Sequence, residues 1–412
     1  MILSRWVDSR ARLSSSNTNG NATVPDQQKS LTAATAFRFV LILGIANGFA
    51  DLTYEGARSV TGQFLGHLGA SAAVIGFTAG LGELLGYALR SFSGYLGDKT
   101  GKYWLVTIVG YMVNMLAVPA LALAGNWPLA AGLIVAERTG RAIRKPSTDA
   151  MLSFAGHKLG RGWVFGLNEA FDQAGATLGP LIISLVLFRH GSYRTGFALL
   201  LVSALLTIAI VFVASKLFPN PRELEAGHGL ETKGFSRPYW LYLVAGAFIA
   251  AGFADFSLIA YHFQRSGSVA GPVIPIYYAV AMALGGASAL VFGKWFDKAG
   301  LSILIAVFFV SAFSAPLVFF GQSWIVLCGM ILWGIGMGAQ NSLLKSVIAP
   351  LLHRDVRATG FGLFDTGFGV AWFLGSWVMG VLYEKSILIL VIFSVVLQLL
   401  SLLAFALAKR AD

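Results

Sequence analysis

Three ionisable residues, Asp51, Glu55 and Arg58, are spaced i, i+4 and i+7 within residues 39–59, a stretch otherwise free of charge. On a helix that spacing lines them along one face. Opposite charges one turn apart neutralise each other, and Glu55 with Arg58 fits that description. Asp51 is then left over, and a carboxylate withdrawn from water can trade a proton for a cation. The tetrapeptide around it, Gly48-Phe49-Ala50-Asp51, recurs as Gly252-Phe253-Ala254-Asp255. Two carboxylates at the same depth of two similar segments are expected to face one chamber.

Further charges interrupt other apolar stretches. Residues 127–143 end in Glu137-Arg138-Thr139-Gly140-Arg141 and lead into Arg144 and Lys145. Glu137 and Arg138 lie deep enough to reach a cavity or a gate. Arg144 and Lys145 are expected at the headgroups, where long cationic side chains snorkel and a helix C-terminus favours positive charge. Glu169 and Asp172 share a face in residues 162–188, beside Asn168 and Gln173; Glu83 and Arg90 lie in residues 71–92, and Asp365 in residues 361–383. Some of these acids must pair across helices, Asp172 with Arg138 for example. On this reading Asp51, Glu55, Glu83, Glu137, Glu169, Asp172, Asp255 and Asp365 oppose only Arg58, Arg90, Arg138 and Arg141. Such an acid-rich interior favours protons and cationic or neutral solutes.

The elements that carry these charges follow from composition. The chain has 412 residues, 56% hydrophobic and 12% charged, with a mean hydropathy of +0.72. A soluble domain carries about 25% charged residues, so a soluble fold is excluded. Six stretches of roughly 20 residues carry no charge, and six more are apolar with the interruptions above. Lipid cannot satisfy backbone amides, so stretches of this length must be helices. Twelve are expected. Lys and Arg cluster in alternate loops and at both ends, which puts both termini in the cytoplasm by the positive-inside rule. The same placement accounts for the net charge of +11 without nucleic acid. Residues 1–35 read as a disordered cytoplasmic tail. Residues 36–215 read as one six-helix bundle, 216–238 as a cytoplasmic linker, 239–408 as a second bundle and 409–412 as a short cytoplasmic tail.

The two halves echo each other in order. Asp51 matches Asp255, the run Gly94 to Gly101 around Asp98 matches the run Gly293 to Gly300 around Asp297, and Glu169 matches Asp365, at offsets of 204, 199 and 196 residues. A repeat of half the chain is the architecture of secondary transporters. At these residues the sequence resembles the major facilitator superfamily. The loop Gly94-x-Leu96-Gly97-Asp98-Lys99-x-Gly101-Lys102 is similar to that family's signature between its second and third spans, with Gly97 in place of Ala and Lys99 and Lys102 in place of Arg. Its glycines permit a tight turn, and Asp98 can bind a basic side chain or a helix N-terminus. With its copy at Gly293, Asp297, Lys298 and Gly300, it reads as a pair of gating latches. The fifth stretch holds Gly166 and then Gly175-x-x-x-Gly179-Pro180, which resembles a signature of the family's proton-driven antiporters. Its closing Gly-Gly is replaced by Ile183-Ser184. Small residues at this spacing also allow close helix packing. The resemblance implies that the third, sixth, ninth and twelfth spans, which carry no ionisable residue, lie outermost against lipid.

An all-α membrane protein is therefore expected, with twelve helices in two pseudo-symmetric bundles and alternating access between them. The substrate- or proton-binding candidates are Asp51, Glu55, Arg58, Glu137, Arg138, Glu169, Asp172, Asp255 and Asp365. The favoured activity is proton-coupled antiport, exporting a cationic or amphiphilic organic compound. The alternatives are import of a nutrient, metabolite or metal complex, and a non-transporting sensor. One Cys and scattered His residues give no metal-ligand spacing, and no catalytic motif or P-loop is present, so no enzyme is expected. The expected partners are the bilayer and a small-molecule substrate, with no cofactor beyond a proton gradient. The chain is expected to act as a monomer in the inner membrane.

Overall fold

Apolar runs of this length bury their backbone polar groups only within helices, and helices are what they form. The computed structural model describes residues 33–159, 161–219, 236–299, 301–348 and 357–411. The first half comprises α1 (Ala33–His67), α2 (Ala72–Thr100), α3 (Tyr103–Ala120), α4 (Trp127–Leu159), α5 (Arg161–Phe188) and α6 (Tyr193–Leu217). The second comprises α7 (Arg237–Gly252), α8 (Phe256–Ser266), α9 (Ile274–Ala299), α10 (Leu301–Ser311), α11 (Ser314–Phe320), α12 (Trp324–Ile348), α13 (Arg357–Lys385) and α14 (Ile387–Ala411). Taking α7 with α8 and α10 with α11, these helices make twelve crossings. Ten segments are long and apolar enough to span a membrane among the described residues. The two crossings outside that set are α4, which carries five charges between Glu137 and Lys145, and α12, whose apolar part is the shorter segment Trp324–Gln340. The expected tail and linker fall mostly on residues 1–32 and 220–235, outside the described residues.

Helix ends are set by local chemistry. Ser71 caps α2 through the Val74 amide and Ser192 caps α6 through the Thr195 amide. Gly101 ends α2 at φ 69°, where a side chain would be strained, and its N–H donates to the Gly97 carbonyl. Within the loop signature, Gly94, Gly97 and Lys99 therefore belong to the last turns of α2, and Lys102 precedes α3. The side chains of Asp98, Gly293, Asp297 and Lys298, and all of Gly300, lie outside the described residues.

The two halves pack alike. In the first, α1 lies on α5; in the second, the equivalent α7 lies on α13. Between the halves α2 packs on α13 and α5 on α9, two contacts that exchange when the halves are swapped. Contact between α1 and α5 depends on glycine. A Cβ at Gly175 would collide with the Gly48 carbonyl oxygen, and one at Gly179 with that of Leu52. Gly375 of α13 stands equally close to the Ala251 carbonyl of α7. At Gly166 a Cβ would meet nothing within 4 Å, so that glycine takes no part in the close approach. Gly175→Ala is accordingly expected to cost roughly 1–3 kcal/mol by overpacking and to lower the melting temperature in detergent. Gly166→Ala should leave it unchanged or raise it, and equal melting of the two variants would show that α1 and α5 need no such approach.

Candidate substrate cavity

The charges that interrupt the apolar stretches converge between the two halves. A cavity of about 260 Å³ is lined from α1, α2, α4, α5, α9, α12 and α13. Asp51, Glu55, Glu83, Glu169, Asp172 and Asp365 line it, together with the bases Arg58, Arg90, Arg141 and Lys145. Of the nine binding candidates, six therefore reach the cavity.

Glu137, Arg138 and Asp255 do not. Arg138 is held by Glu83 at 3.3 Å and Glu137 at 3.4 Å, so these two form a support behind Glu83. Asp255 corrects the expectation that it mirrors Asp51. In α1 the Gly-Phe-Ala-Asp tetrapeptide lies inside a continuous helix, whereas its copy breaks the seventh crossing between α7 and α8. Asp255 becomes the N-cap of α8, accepting from the Ser257 amide at 2.8 Å. A capping carboxylate competes well for the free amides of a helix start, and Arg58 reaches it from α1 at 3.5 Å.

Arg144 and Lys145 are the second correction. Both turn inward, Arg144 into the first half and Lys145 onto the cavity. Arg144 is 2% exposed, donating to Asn114 at 3.2 Å and to Asn47 and the Tyr111 hydroxyl at 3.1 Å. Its guanidinium stands 4.4 Å from the centre of the Tyr111 ring and 3.9 Å from Asp51. Lys145 sits between Asp149 at 3.2 Å and Asp172 at 3.7 Å, so Asp172 pairs with Lys145 rather than with Arg138. With these two bases inside, the interior is closer to charge balance than the sequence suggested. The reason is geometric: three residues per step along Arg138, Arg141 and Arg144 keep all three on one helix face, and that face meets α1. The buried polar residues Asn47, Tyr111 and Asn114 were the available signal for Arg144, since buried polar groups need partners.

The bases are largely occupied by the protein itself. Arg58 is 3.1 Å from Glu83 and 3.9 Å from Glu55. Arg141 is 3.9 Å from Glu55 and lies over the Tyr54 ring at 4.3 Å. Among the acids, Glu169 is exposed and accepts from Gln173 at 2.8 Å. Asn168 links Asp172 (3.0 Å) to Asn47 (2.6 Å). Asp51 differs: among the described residues no hydrogen bond reaches it, and its ion pair is the long contact to Arg144.

One end of the cavity is shut. Near the α1–α2 turn the halves are bolted by Arg58 with Asp255, the Tyr278 hydroxyl with Glu55, and the Ser184 hydroxyl with the Pro272 carbonyl at 2.6 Å. Glu384 accepts from the Ala73 amide at 3.0 Å, and Thr61 and Ser257 share a hydrogen bond at 3.3 Å. Toward the other end, side-chain exposure on α4 rises from 10% at Arg138 to 26% at Arg141, 31% at Lys145 and 38% at Asp149, while Arg144, turned toward Asn47 and Tyr111, stays at 3%. The cavity therefore opens at the end that holds the α2–α3 turn. No group of three His, Cys, Asp or Glu is placed to hold a metal ion among the described residues; His262 bonds the Tyr383 hydroxyl at 3.0 Å. Among the tryptophans, Trp372 lines the cavity, Trp333 is buried with its indole N–H on the Ala254 carbonyl, and Trp163 and Trp377 are exposed.

Two bundles of membrane-spanning helices around a charged cavity, shut at one end, define a transporter rather than an enzyme. The Major Facilitator Superfamily model matches residues 40–376, and the chain belongs to that family, whose fold works by alternating access. An uncharacterized protein of Mycobacterium tuberculosis is 34% identical over 392 residues, covering 93% of this chain and 96% of the relative. An uncharacterized MFS-type transporter of Methanocaldococcus jannaschii is 26% identical, covering 84% and 89%. A solved nucleoside transporter superposes with a TM-score of 0.74 at 12% identity, covering 89% of this chain and all of that one, a likeness of fold.

The bolts at the closed end make a measurable claim. Spin labels at His67→Cys and Gln264→Cys, in a Cys328→Ser background, sit on exposed positions of opposite halves at that end. Arg58→Gln is expected to add a longer-distance population absent from the parent. An unchanged distance distribution would show that Arg58 does not hold this end shut.

Proposed function

We propose that the protein exchanges protons for a small organic cation, with Asp51 as the acid over which the two compete. The observation that carries this reading is the contrast between Asp51 and its neighbours. Three lining bases are already engaged by carboxylates, whereas Asp51 faces the cavity with a single long ion pair. A cation arriving there gains a partner that no other group fully claims, and a proton bound there removes that partner. Each ligand then excludes the other, and coupling follows if each also favours a different arrangement of the halves. The loading direction rests on charge placement. Lys and Arg cluster at the end where the cavity opens, and the positive-inside rule assigns that end, with both termini, to the cytoplasm of a bacterial-type inner membrane. Loading from the cytoplasm with proton return makes the transporter an exporter.

Proton release on binding tests this directly. Purified protein in weakly buffered detergent is titrated with organic cations selected by thermal shift, benzylamine and benzyltrimethylammonium among them, and a pH dye reads the protons set free. About one proton per bound cation is expected below the pH at which Asp51 is already ionised, with affinity weakening up to tenfold per unit of falling pH, because the proton competes. Asp51→Asn should abolish the release. Cation binding that frees no proton in the wild type, or equal release from Asp51→Asn, would overturn the reading.

A further inference from the structure

The two walls of the cavity differ in chemistry. Almost all of its charge comes from the first half. The second half supplies Met282, Met337, Gln340, Phe364, Phe368 and Trp372, with Asp365 as the charged group beside them. Phe364, Phe368 and Trp372 recur every four residues along α13, so their rings form one strip on that helix. Phe364 and Phe368 stack at 6.1 Å, and Phe368 meets Trp372 at 5.7 Å.

Two polar groups in this wall are buried without a partner. Gln340 is 5% exposed, and among the described residues neither its Nε2 nor its Oε1 is hydrogen-bonded. Trp372 is 3% exposed and its Nε1–H is likewise unmatched. Buried polar groups are nearly always satisfied, and an amide that offers both a donor and an acceptor is complementary to another amide edge. The aromatic strip alone would accept any apolar ring; the unsatisfied amide beside it selects among rings.

We propose that this wall is the subsite for a planar ring bearing an adjacent hydrogen-bond donor and acceptor, an amide or lactam edge. Gln340 pairs with that edge, and the ring face rests on Phe368 and Trp372. The assignment rests on the exchange reading above in one respect: the cationic end of the same solute goes to Asp51. At about 260 Å³ the cavity falls just below the usual range of ligand pockets, about 300 to 1,000 Å³, so the solute is a single ring on a short cationic arm.

The matched probes are 4-(aminomethyl)benzamide, which carries ring, amide and ammonium, and benzylamine, which lacks the amide. Calorimetry on the purified full chain is expected to give at least tenfold tighter binding of the benzamide. In Gln340→Leu the ratio of the two affinities should fall to within twofold, and Gln340→Met serves if the Leu variant fails to fold. A wild type that does not discriminate, or does not bind the benzamide, overturns the proposal. So does a ratio that survives both substitutions, which would make Gln340 a hydrated wall residue. Proton release read in the same titrations separates the two ideas. Discrimination without release leaves this subsite standing and removes the exchange reading, and release without discrimination does the reverse.

Discussion

A charge taken out of water into a bilayer must meet an opposite charge, a set of hydrogen bonds or a wet path. The penalty for failing is several kcal/mol even on lenient scales, and breaking one partner of a buried pair costs about 3–5 kcal/mol. That constraint explains the layout of the first half. Arg144 is satisfied by Asn47, Tyr111 and Asn114; Asn114 also reaches the Glu137 carboxylate at 2.9 Å; Glu137 holds Arg138, Arg138 holds Glu83, and Glu83 holds Arg58. The result is one connected polar system running through α1, α2, α3 and α4. It exists only because the helices approach closely enough. Gly140 of α4 lies against Asn114 of α3, where a Cβ would clash with backbone, and α1 lies against α5 through Gly48 and Gly175. The small residues that the sequence shows as a packing motif are thus also what bring the charges within reach of one another.

The same side chains serve two tasks. Glu55 and Arg58 line the cavity, and they also reach across to Tyr278 and Asp255 to shut one end. A solute or proton that changes the charge balance around Asp51 therefore acts on a system continuous with the bolts. Alternating access requires a ligand to bind the two arrangements unequally, and shared residues provide that inequality without a separate relay. Were the cavity and the closed end built from unrelated side chains, occupancy of one would leave the other indifferent.

Much of this was legible in the sequence for physical reasons. Span number follows from hydropathy, and most charged stretches reach the cavity, although α9 and α12 line it without a charge in their apolar spans. Asp51, Glu55, Glu169 and Asp172 were placed at the cavity because an acid in an apolar stretch has few other places to go. Arg144 and Lys145 lie further inside than a position near the end of an apolar stretch suggests. The helix continues well past residue 143, to Leu159, and carries both bases inside. Asp255 was misplaced for a different reason. Identical tetrapeptides suggested identical roles, yet Asp both tolerates a helix interior and caps a helix start, and tertiary context decides.

The broken repeat shows how two similar halves come to do different work. Packing symmetry is kept where motion needs it: α1 on α5 and α7 on α13, with α2 on α13 and α5 on α9 as exchanging contacts between the halves. Chemistry is not kept. Against Arg58 and the acids around it, the wall formed by Met282, Met337 and the rings of α13 carries Asp365 as its charged lining residue. Where Asp51 stays within an unbroken helix, Asp255 ends one helix and starts the next, and its carboxylate is consumed by the Ser257 amide and by Arg58. A symmetric pair of free acids would place two like charges in one small cavity, each raising the cost of the other. Converting one of them to a cap removes that repulsion, supplies the closed end with its central acceptor, and leaves Asp51 facing the solute path with one long ion pair.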